Sequence, residues 1–266
     1  MKSLSTSEKA RFDRRASKCP LITDQRVEAL ADFVSILSTA LVGSRVSWFR
    51  GHAAIAWRLV PSALRYAKVA SRQTALELLS EFKRIAEIKQ VRPPGPNEQL
   101  KWVQVAQHFG LPTRLLDWTE NPLVALYFAC ELPDTDGAVF VLDPVSLNRL
   151  AAPSRPRILA DDSDRDLIVQ YLHLLPRLGK RGRRSVAVNP VWNSERIVLQ
   201  KGVFTLHGSR DVELDRKNFP ALACVPILAE TKVRLRRELN AVGVDEMAIF
   251  PELEHACRHL RTKVQL

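Results

Sequence analysis

The sequence has few of the residues that build disulfide or metal sites. Its four cysteines, Cys19, Cys130, Cys224 and Cys257, are scattered along 266 residues without the short spacings of a zinc site. Cys130 and Cys257 fall in helical patterns, where a free cysteine commonly serves as a small buried apolar residue. The cysteines therefore predict neither a disulfide framework nor a metal centre.

Long apolar runs are missing as well. No stretch reaches the roughly 18 apolar residues that a membrane-crossing helix needs. The first residues, Met1–Ser5, are polar and lack the apolar core of a secretory signal. We therefore expect no membrane association and a cytoplasmic location.

The common catalytic motifs are also absent. The sequence contains no Gly-x-x-x-x-Gly-Lys, no Gly-x-Gly-x-x-Gly, no His-Glu-x-x-His and no Gly-x-Ser-x-Gly. This argues against most kinases, metalloenzymes and hydrolases. His255 and His259 have a helical spacing that suits a metal, but no third ligand accompanies them, so we predict no metal.

Positive charge, by contrast, is in excess. The formal net charge is +11, which favours an acidic partner such as nucleic acid, a nucleotide or an acidic protein. The clearest basic run provides the candidate nucleic-acid contacts, Arg177, Lys180, Arg181, Arg183 and Arg184. The alternative is that this run is a solvated surface.

The order of helical and strand patterns predicts one α+β domain at 21–266, preceded by a basic tail at 1–20. Helical periodicity covers 24–41, 74–90, 98–109, a segment starting at Asn121-Pro122, 231–241 and 253–260. Strand patterns end at Phe49 and cover 137–142, 185–188, 196–199, 203–207 and 224–228. Because helices lead and strands follow without regular alternation, we expect N-terminal helices packed on a mainly antiparallel sheet, continuous or split.

Arg50 is the first candidate for a site. An apolar run ending in Trp48 and Phe49 leads directly into Arg50 and Gly51, and Arg65 follows after a Pro-Ser turn. Arginine has a rigid fork of donors suited to phosphate or carboxylate, and glycine lets a ligand or another backbone approach closely. The alternative is an arginine that bridges backbone carbonyls.

The segment 112–119 is the second candidate. Thr113, Arg114, Asp117 and Thr119 alternate there with Leu115, Leu116 and Trp118, just before an apolar helix. Charged groups near a core must be paired. One interpretation is a buried Arg–Asp pair that fixes the chain. The other places Arg114 or His108 in a pocket walled by Trp118, with Asp117 orienting an arginine. Gln200, at a predicted turn, either contacts a ligand or closes the turn.

These two segments resemble the FRG domain, a family named for its Phe-Arg-Gly signature. The resemblance is carried by Phe49-Arg50-Gly51, Pro61-Ser62 with Arg65, Gln107-His108 through Thr119, and Arg196-Ile197 leading to Gln200-x-Gly202-x-Phe204. Phe250-Pro251 is similar to the family's closing segment. The resemblance covers roughly 25–262.

A weaker resemblance, to the ADP-ribosyltransferase fold, implies an NAD cofactor and a defence or toxin context. Arg50, the 113–119 segment and 197–202 follow in the order of that fold's site elements, although Arg196 stands where a catalytic Glu is expected. The resemblance implies candidate roles in three classes. Phosphates would be gripped by Arg50 and Arg65 beside Gly51, a ring would stack on Trp118 or Phe204, and catalysis would involve His108, Glu195 or Gln200. The alternative function is a non-catalytic module that binds nucleic acid.

Overall fold

The computed structural model describes residues 2–15, 19–65, 69–89, 92–172, 183–209, 213–214 and 221–263. The helices are α1 Thr6–Arg15, α2 Leu30–Ala40, α3 Val69–Lys89, α4 Gln99–His108, α5 Pro122–Ala129, α6 Pro144–Ala151, α7 Asp161–Leu172, α8 Glu195–Leu199, α9 Ala229–Ala241, α10 Glu246–Ile249 and α11 Leu253–Lys263. The strands are β1 Trp48–His52, β2 Leu115–Thr119, β3 Gly137–Leu142, β4 Val186–Val188, β5 Gly202–Leu206 and β6 Leu222–Ile227. A short 3₁₀ helix spans Ser62–Leu64.

The strands form one six-stranded sheet in the order β4-β5-β2-β1-β3-β6. Every pair of neighbouring named strands is antiparallel, which confirms the predicted α+β class and its antiparallel sheet. The junction between β1 and β2 differs from the others. Within these two strands a single register pair forms, Phe49 with Thr119, whereas β1 and β2 each form five pairs with their outer neighbours. We call this junction the seam.

The seam divides the apolar packing on one face of the sheet. Strand residues alternate between faces, and one face carries a single cluster that runs across the seam and includes Trp48, Trp118 and Phe140. On the other face, the described residues form two clusters. One packs α2, α5 and α9 on β1, β3 and β6, and the second packs α4 and α7 on β2, β4 and β5. The helices on this face therefore stand apart above the seam.

Local signals explain how the chain enters and leaves the helices beside the seam. Helix α4 ends where Gly110 adopts φ +85°, a conformation that glycine reaches without strain. Helix α5 begins with Pro122 at its first position, and the Asn121 side chain accepts a hydrogen bond from the Leu123 N–H. Both boundaries agree with the sequence-based prediction.

Two predicted elements are wrong. Residues 196–199, expected as a strand, lie in helix α8, because the Ser194 hydroxyl caps its N-terminus by accepting from the Ile197 N–H at 3.3 Å. Residues 115–117, expected as an irregular crossing, belong to β2, where Leu116 and Trp118 face the core on alternate positions.

The ends of the chain are placed as follows. Residues 1–20, expected as a basic tail, include helix α1 and contribute Leu4, 5% exposed, to the apolar cluster that crosses the seam. Cys130 is buried as predicted, but the prediction for Cys257 is wrong because this residue is exposed. Among the described residues, no helix is long and apolar enough to cross a membrane.

Candidate functional site

A cleft opens above the seam. It has a volume of about 340 Å³ and is lined by residues of β1, β2 and β5, of α4, α5 and α8, and of the loop that follows β1. Its position follows from the fold, because the two helical clusters on this face leave a gap where β1 and β2 separate. A concave, mixed polar and apolar site of this size is typical of small-molecule binding.

Arg50 lies at the seam and lines the cleft. Its Nη1 donates to the Asp117 carbonyl oxygen at 2.6 Å, and its Nε donates to His52 Nε2 at 3.0 Å. Within the described strands Gly51 and Asp117 form no register pair, so the guanidinium bonds a β2 carbonyl where the ladder ends. Burial lowers the pKa of Arg50, Asp117 raises it and Arg65 lowers it further.

The guanidinium is incompletely neutralised. Its nearest carboxylate oxygen, Asp117 Oδ2, is 3.8 Å from Nη1 and belongs to a side chain that is 63% exposed. Among the described residues, no group accepts a hydrogen bond from Nη2. Arg50 thus bridges a backbone carbonyl, as one interpretation predicted, and also presents charge to the cleft, as the other predicted.

Asp117 was expected to be buried against Arg114, and this is wrong. Since Leu116 and Trp118 face the core below the sheet, Asp117 between them points to the opposite, cleft-bearing face. Its Oδ1 accepts from Gln107 Nε2 at 2.6 Å, and its ionic partner is Arg50. The arginine that Asp117 orients is therefore Arg50.

Thr113 fixes the orientation of that carboxylate indirectly. Its hydroxyl donates to Gln107 Oε1, which leaves the Gln107 amide nitrogen to donate to Asp117. The same hydroxyl accepts from the Leu115 N–H at 3.1 Å, and the Thr113 N–H donates to the Ser62 hydroxyl at 3.1 Å. Thr113 is thus a buried positioning residue that connects α4 to the start of β2.

The Phe-Arg-Gly segment and the Thr113–Thr119 segment meet at this cleft, and residues 45–137 match the family model of the FRG domain. The chain carries an FRG domain. Searches of curated proteins and of solved structures found no match. The likeness to the ADP-ribosyltransferase fold therefore stays a prediction.

The matched FRG residues supply most of the cleft. They include β1, α4, β2 and α5, while α8 and β5 close the remaining wall from outside the matched range. Gly51 lines the cleft, but its lack of a side chain serves the packing of α5. A Cβ at Gly51 would lie 1.9 Å from the Ala125 carbonyl oxygen, so helix α5 lies directly on β1.

Two predicted ligand contacts have side chains that are committed below the sheet. Arg114 is 1% exposed, its Nη1 donates to the His207 carbonyl oxygen at 3.3 Å, and burial lowers its pKa to about 10. Trp118 belongs to the cleft lining, yet its indole packs in the cluster that crosses the seam and donates from Nε1 to the Thr205 hydroxyl at 3.0 Å. Strand alternation thus turns the Trp118 ring away from the cleft, so it offers little face for stacking.

Other predicted residues do reach the cleft. His108, Thr119, Gln200 and Phe204 all line it. Gln200 is partly committed, because its Nε2 donates to the Ile249 carbonyl oxygen at 3.1 Å and its own carbonyl accepts from Thr119. These four side chains are thus brought together with Arg50 from three separate parts of the chain.

Glu195 and Arg65 lie elsewhere. Glu195 is exposed and lies outside the cleft lining, although its neighbours Ser194 and Arg196 belong to it. Arg65 lines a smaller adjoining cavity of about 160 Å³, which shares Gln107 and Asp117 with the cleft. Its Nε donates to the Val60 carbonyl oxygen at 3.0 Å.

Sequence reasoning missed four cleft residues, Trp57, Gln104, Glu131 and Arg196 in a ligand-facing role. Trp57 is 50% exposed, so its indole offers the cleft the ring surface that Trp118 withholds. Burial raises the pKa of Glu131, while the nearby Arg236 and Arg196 lower it. The local sequence around Trp57 and Glu131 carries no signal for a site, since only the folded chain brings these residues together.

The predicted nucleic-acid run is described in part. Arg177, Lys180 and Arg181 lie outside the described residues. Arg183 donates to Gln170, and its guanidinium lies 5.6 Å from the centre of the Tyr171 ring. Among the described residues, no group of three or more His, Cys, Asp or Glu side chains could hold a metal ion.

Proposed function

We propose that the FRG domain of this chain binds a nucleotide in the cleft, with a phosphate group on Arg50. The observation that supports this is the partly neutralised guanidinium at the seam. Arg50 bonds a neutral carbonyl and a histidine nitrogen, and its one ionic contact among the described residues is a 3.8 Å approach to an exposed carboxylate. A phosphate oxygen would complete its hydrogen bonding through a charge-assisted contact.

A simple anion would not need the rest of the cleft. Its lining also includes the rings of Trp57, Phe128 and Phe204 and the amide side chains of Gln104 and Gln200. Aromatic faces stack on heterocycles, and amides hydrogen-bond their edges. This combination of a cation, rings and amides suits a nucleotide.

The size of the cleft favours one nucleotide unit. Its volume of about 340 Å³ is near the lower end of ligand pockets, which run from about 300 to 1,000 Å³. A dinucleotide such as NAD would extend into the adjoining cavity, where Arg65 lies beyond Gln107 and Asp117. NAD is therefore the dinucleotide to test alongside single nucleotides.

Catalysis is a further part of the proposal. Glu131 and His108 are the acid–base candidates that line the cleft. Burial raises the pKa of Glu131 towards the range in which a carboxyl group both holds and releases a proton, a condition for acid–base work. ADP-ribosyl transfer from NAD is the reaction to test, by incubating the protein with labelled NAD and cell lysate and measuring label on macromolecules.

The binding experiment uses calorimetry with ADP, NAD and inorganic pyrophosphate. Arg50→Ala should weaken binding of all three by at least roughly tenfold, since a charge-assisted hydrogen bond is worth about 1.5–3 kcal/mol. Arg58→Ala is the matched control, because Arg58 is exposed, pairs with Glu213 at 2.8 Å and lies outside the cleft lining. Equal binding by the two variants, or no binding of any probe to the unmodified protein, would refute the proposal.

A further inference from the structure

Gln104 lies on the stripe of α4 that faces the cleft. Gln104, Gln107 and His108 have the i, i+3, i+4 spacing of one helix side, and all three line the cleft. Gln104 is the most enclosed of them, with 2% of its surface exposed. A polar side chain buried to this degree normally has all its hydrogen-bonding groups satisfied.

One end of the Gln104 amide is committed to the protein. The Val191 backbone N–H donates to Gln104 Oε1 at 3.2 Å. A backbone N–H only donates, so the amide oxygen must face it and the NH₂ group must face the other way. The orientation of the side chain is thereby fixed, and its remaining function is that of a donor.

That donor is unsatisfied within the part of the chain that the structure describes. Gln104 Nε2 is buried and lacks a hydrogen-bond partner among those residues. The two other glutamines of the cleft are engaged, since Gln107 Nε2 donates to Asp117 and Gln200 Nε2 donates to Ile249. Gln104 is therefore the cleft amide whose nitrogen is left for a ligand.

We propose that Gln104 is a specificity-determining residue, whose Nε2 donates to an oxo group or an unprotonated ring nitrogen on the base of the bound nucleotide. This inference rests on the proposed nucleotide site. A base that turns an amino group towards Gln104 would set two donors against each other. The amide cannot rotate to relieve that conflict, because the Val191 N–H would then lose its acceptor.

The test measures binding of ADP, GDP, UDP, CDP and pyrophosphate to the unmodified protein and to two variants. Gln104→Met has similar size and removes the donor. Gln104→Glu keeps an oxygen for the Val191 N–H and replaces the donor with an acceptor. Pyrophosphate carries no base, so it reports on Arg50 alone and corrects for any general effect on the cleft. Thermal unfolding verifies that each variant folds.

The unmodified protein should prefer some bases by about tenfold, the scale set by one hydrogen bond gained or one donor left unpaired. Gln104→Met should abolish that preference while pyrophosphate binding stays within about twofold, and Gln104→Glu should shift preference towards bases with an amino group. Equal binding of all bases by the unmodified protein, or a preference that survives in both variants, would overturn the inference alone. Loss of Arg50-dependent pyrophosphate binding would instead refute the proposed function.

Discussion

Replacing Gly51 by alanine tests whether α5 is seated directly on β1. A Cβ at this position would lie 1.9 Å from the Ala125 carbonyl oxygen, 2.6 Å from the Ala129 nitrogen and 2.9 Å from Phe128 Cβ. Two of these atoms are backbone atoms, which no rotamer change can move. The substitution therefore has to displace helix α5 from the sheet.

The magnitude follows from the cost of overpacking, which is typically 1–3 kcal/mol. We expect a value at the top of that range, about 3 kcal/mol, because the helix must move as a unit. For a domain of this approximate size, each kcal/mol lowers Tm by roughly 2–4 °C, so the variant should melt about 6–12 °C below the unmodified protein. Displacing α5 also moves Phe128 and Glu131, so ligand binding should fall with stability.

Gly202→Ala is the matched control. Gly202 also lies in a strand and lines the cleft, but the atom nearest to an added Cβ there is the Ile197 carbonyl oxygen at 3.5 Å, an ordinary contact. Urea and thermal unfolding of both variants should separate a large loss at position 51 from a change of less than about 1 kcal/mol at position 202. Equal stability of the two variants would refute the tight packing of α5 on β1.

Three further predictions concern charged side chains. Asp117→Asn should lower the free energy of unfolding by less than about 1 kcal/mol, because the carboxylate is 63% exposed; a loss of several kcal/mol in urea unfolding would contradict its placement. Burial raises the pKa of Glu131, so its charged form disfavours folding, and the stability of Glu131→Gln relative to the unmodified protein should increase as pH rises through about 4.3; a pH-independent difference would contradict this. Nucleic-acid affinity, if carried by the basic run, should lose log–log salt slope at about 0.9 per phosphate contact when Arg181, Arg183 and Arg184 are neutralised, and an unchanged slope would make that run a solvated surface.

Local signals in the sequence were sufficient for the elements that border the seam. The apolar run before Arg50, Gly110 after α4 and Asn121-Pro122 before α5 each act within a few residues, and each gave the correct boundary. Arg50 was found for the same reason, since a charged residue ending an apolar strand is visible without knowledge of the fold.

The errors arose where long-range pairing decides the outcome. Asp117 looked buried because its neighbours are apolar, but pairing of β2 with β5 sets which face it occupies. Residues 196–199 have strand-forming side chains, yet a capping serine made them helical. Trp57 and Glu131 became cleft residues through the separation of two strands, a property that neither segment encodes on its own.

The seam has a consequence for how this chain can fold. The strands β1, β3 and β6 lie on one side of it and β2, β5 and β4 on the other, while the chain passes back and forth between the two sides. Neither half is a continuous piece of sequence, so contacts must form between distant parts of the chain before either half is complete, which predicts slow, high-contact-order folding. The fragment 45–137 would contain β1 and β2 without β5 or β6, leaving unpaired strand edges. The FRG signature therefore marks the ligand-facing part of the domain, whereas the cooperative unit of folding extends well beyond it.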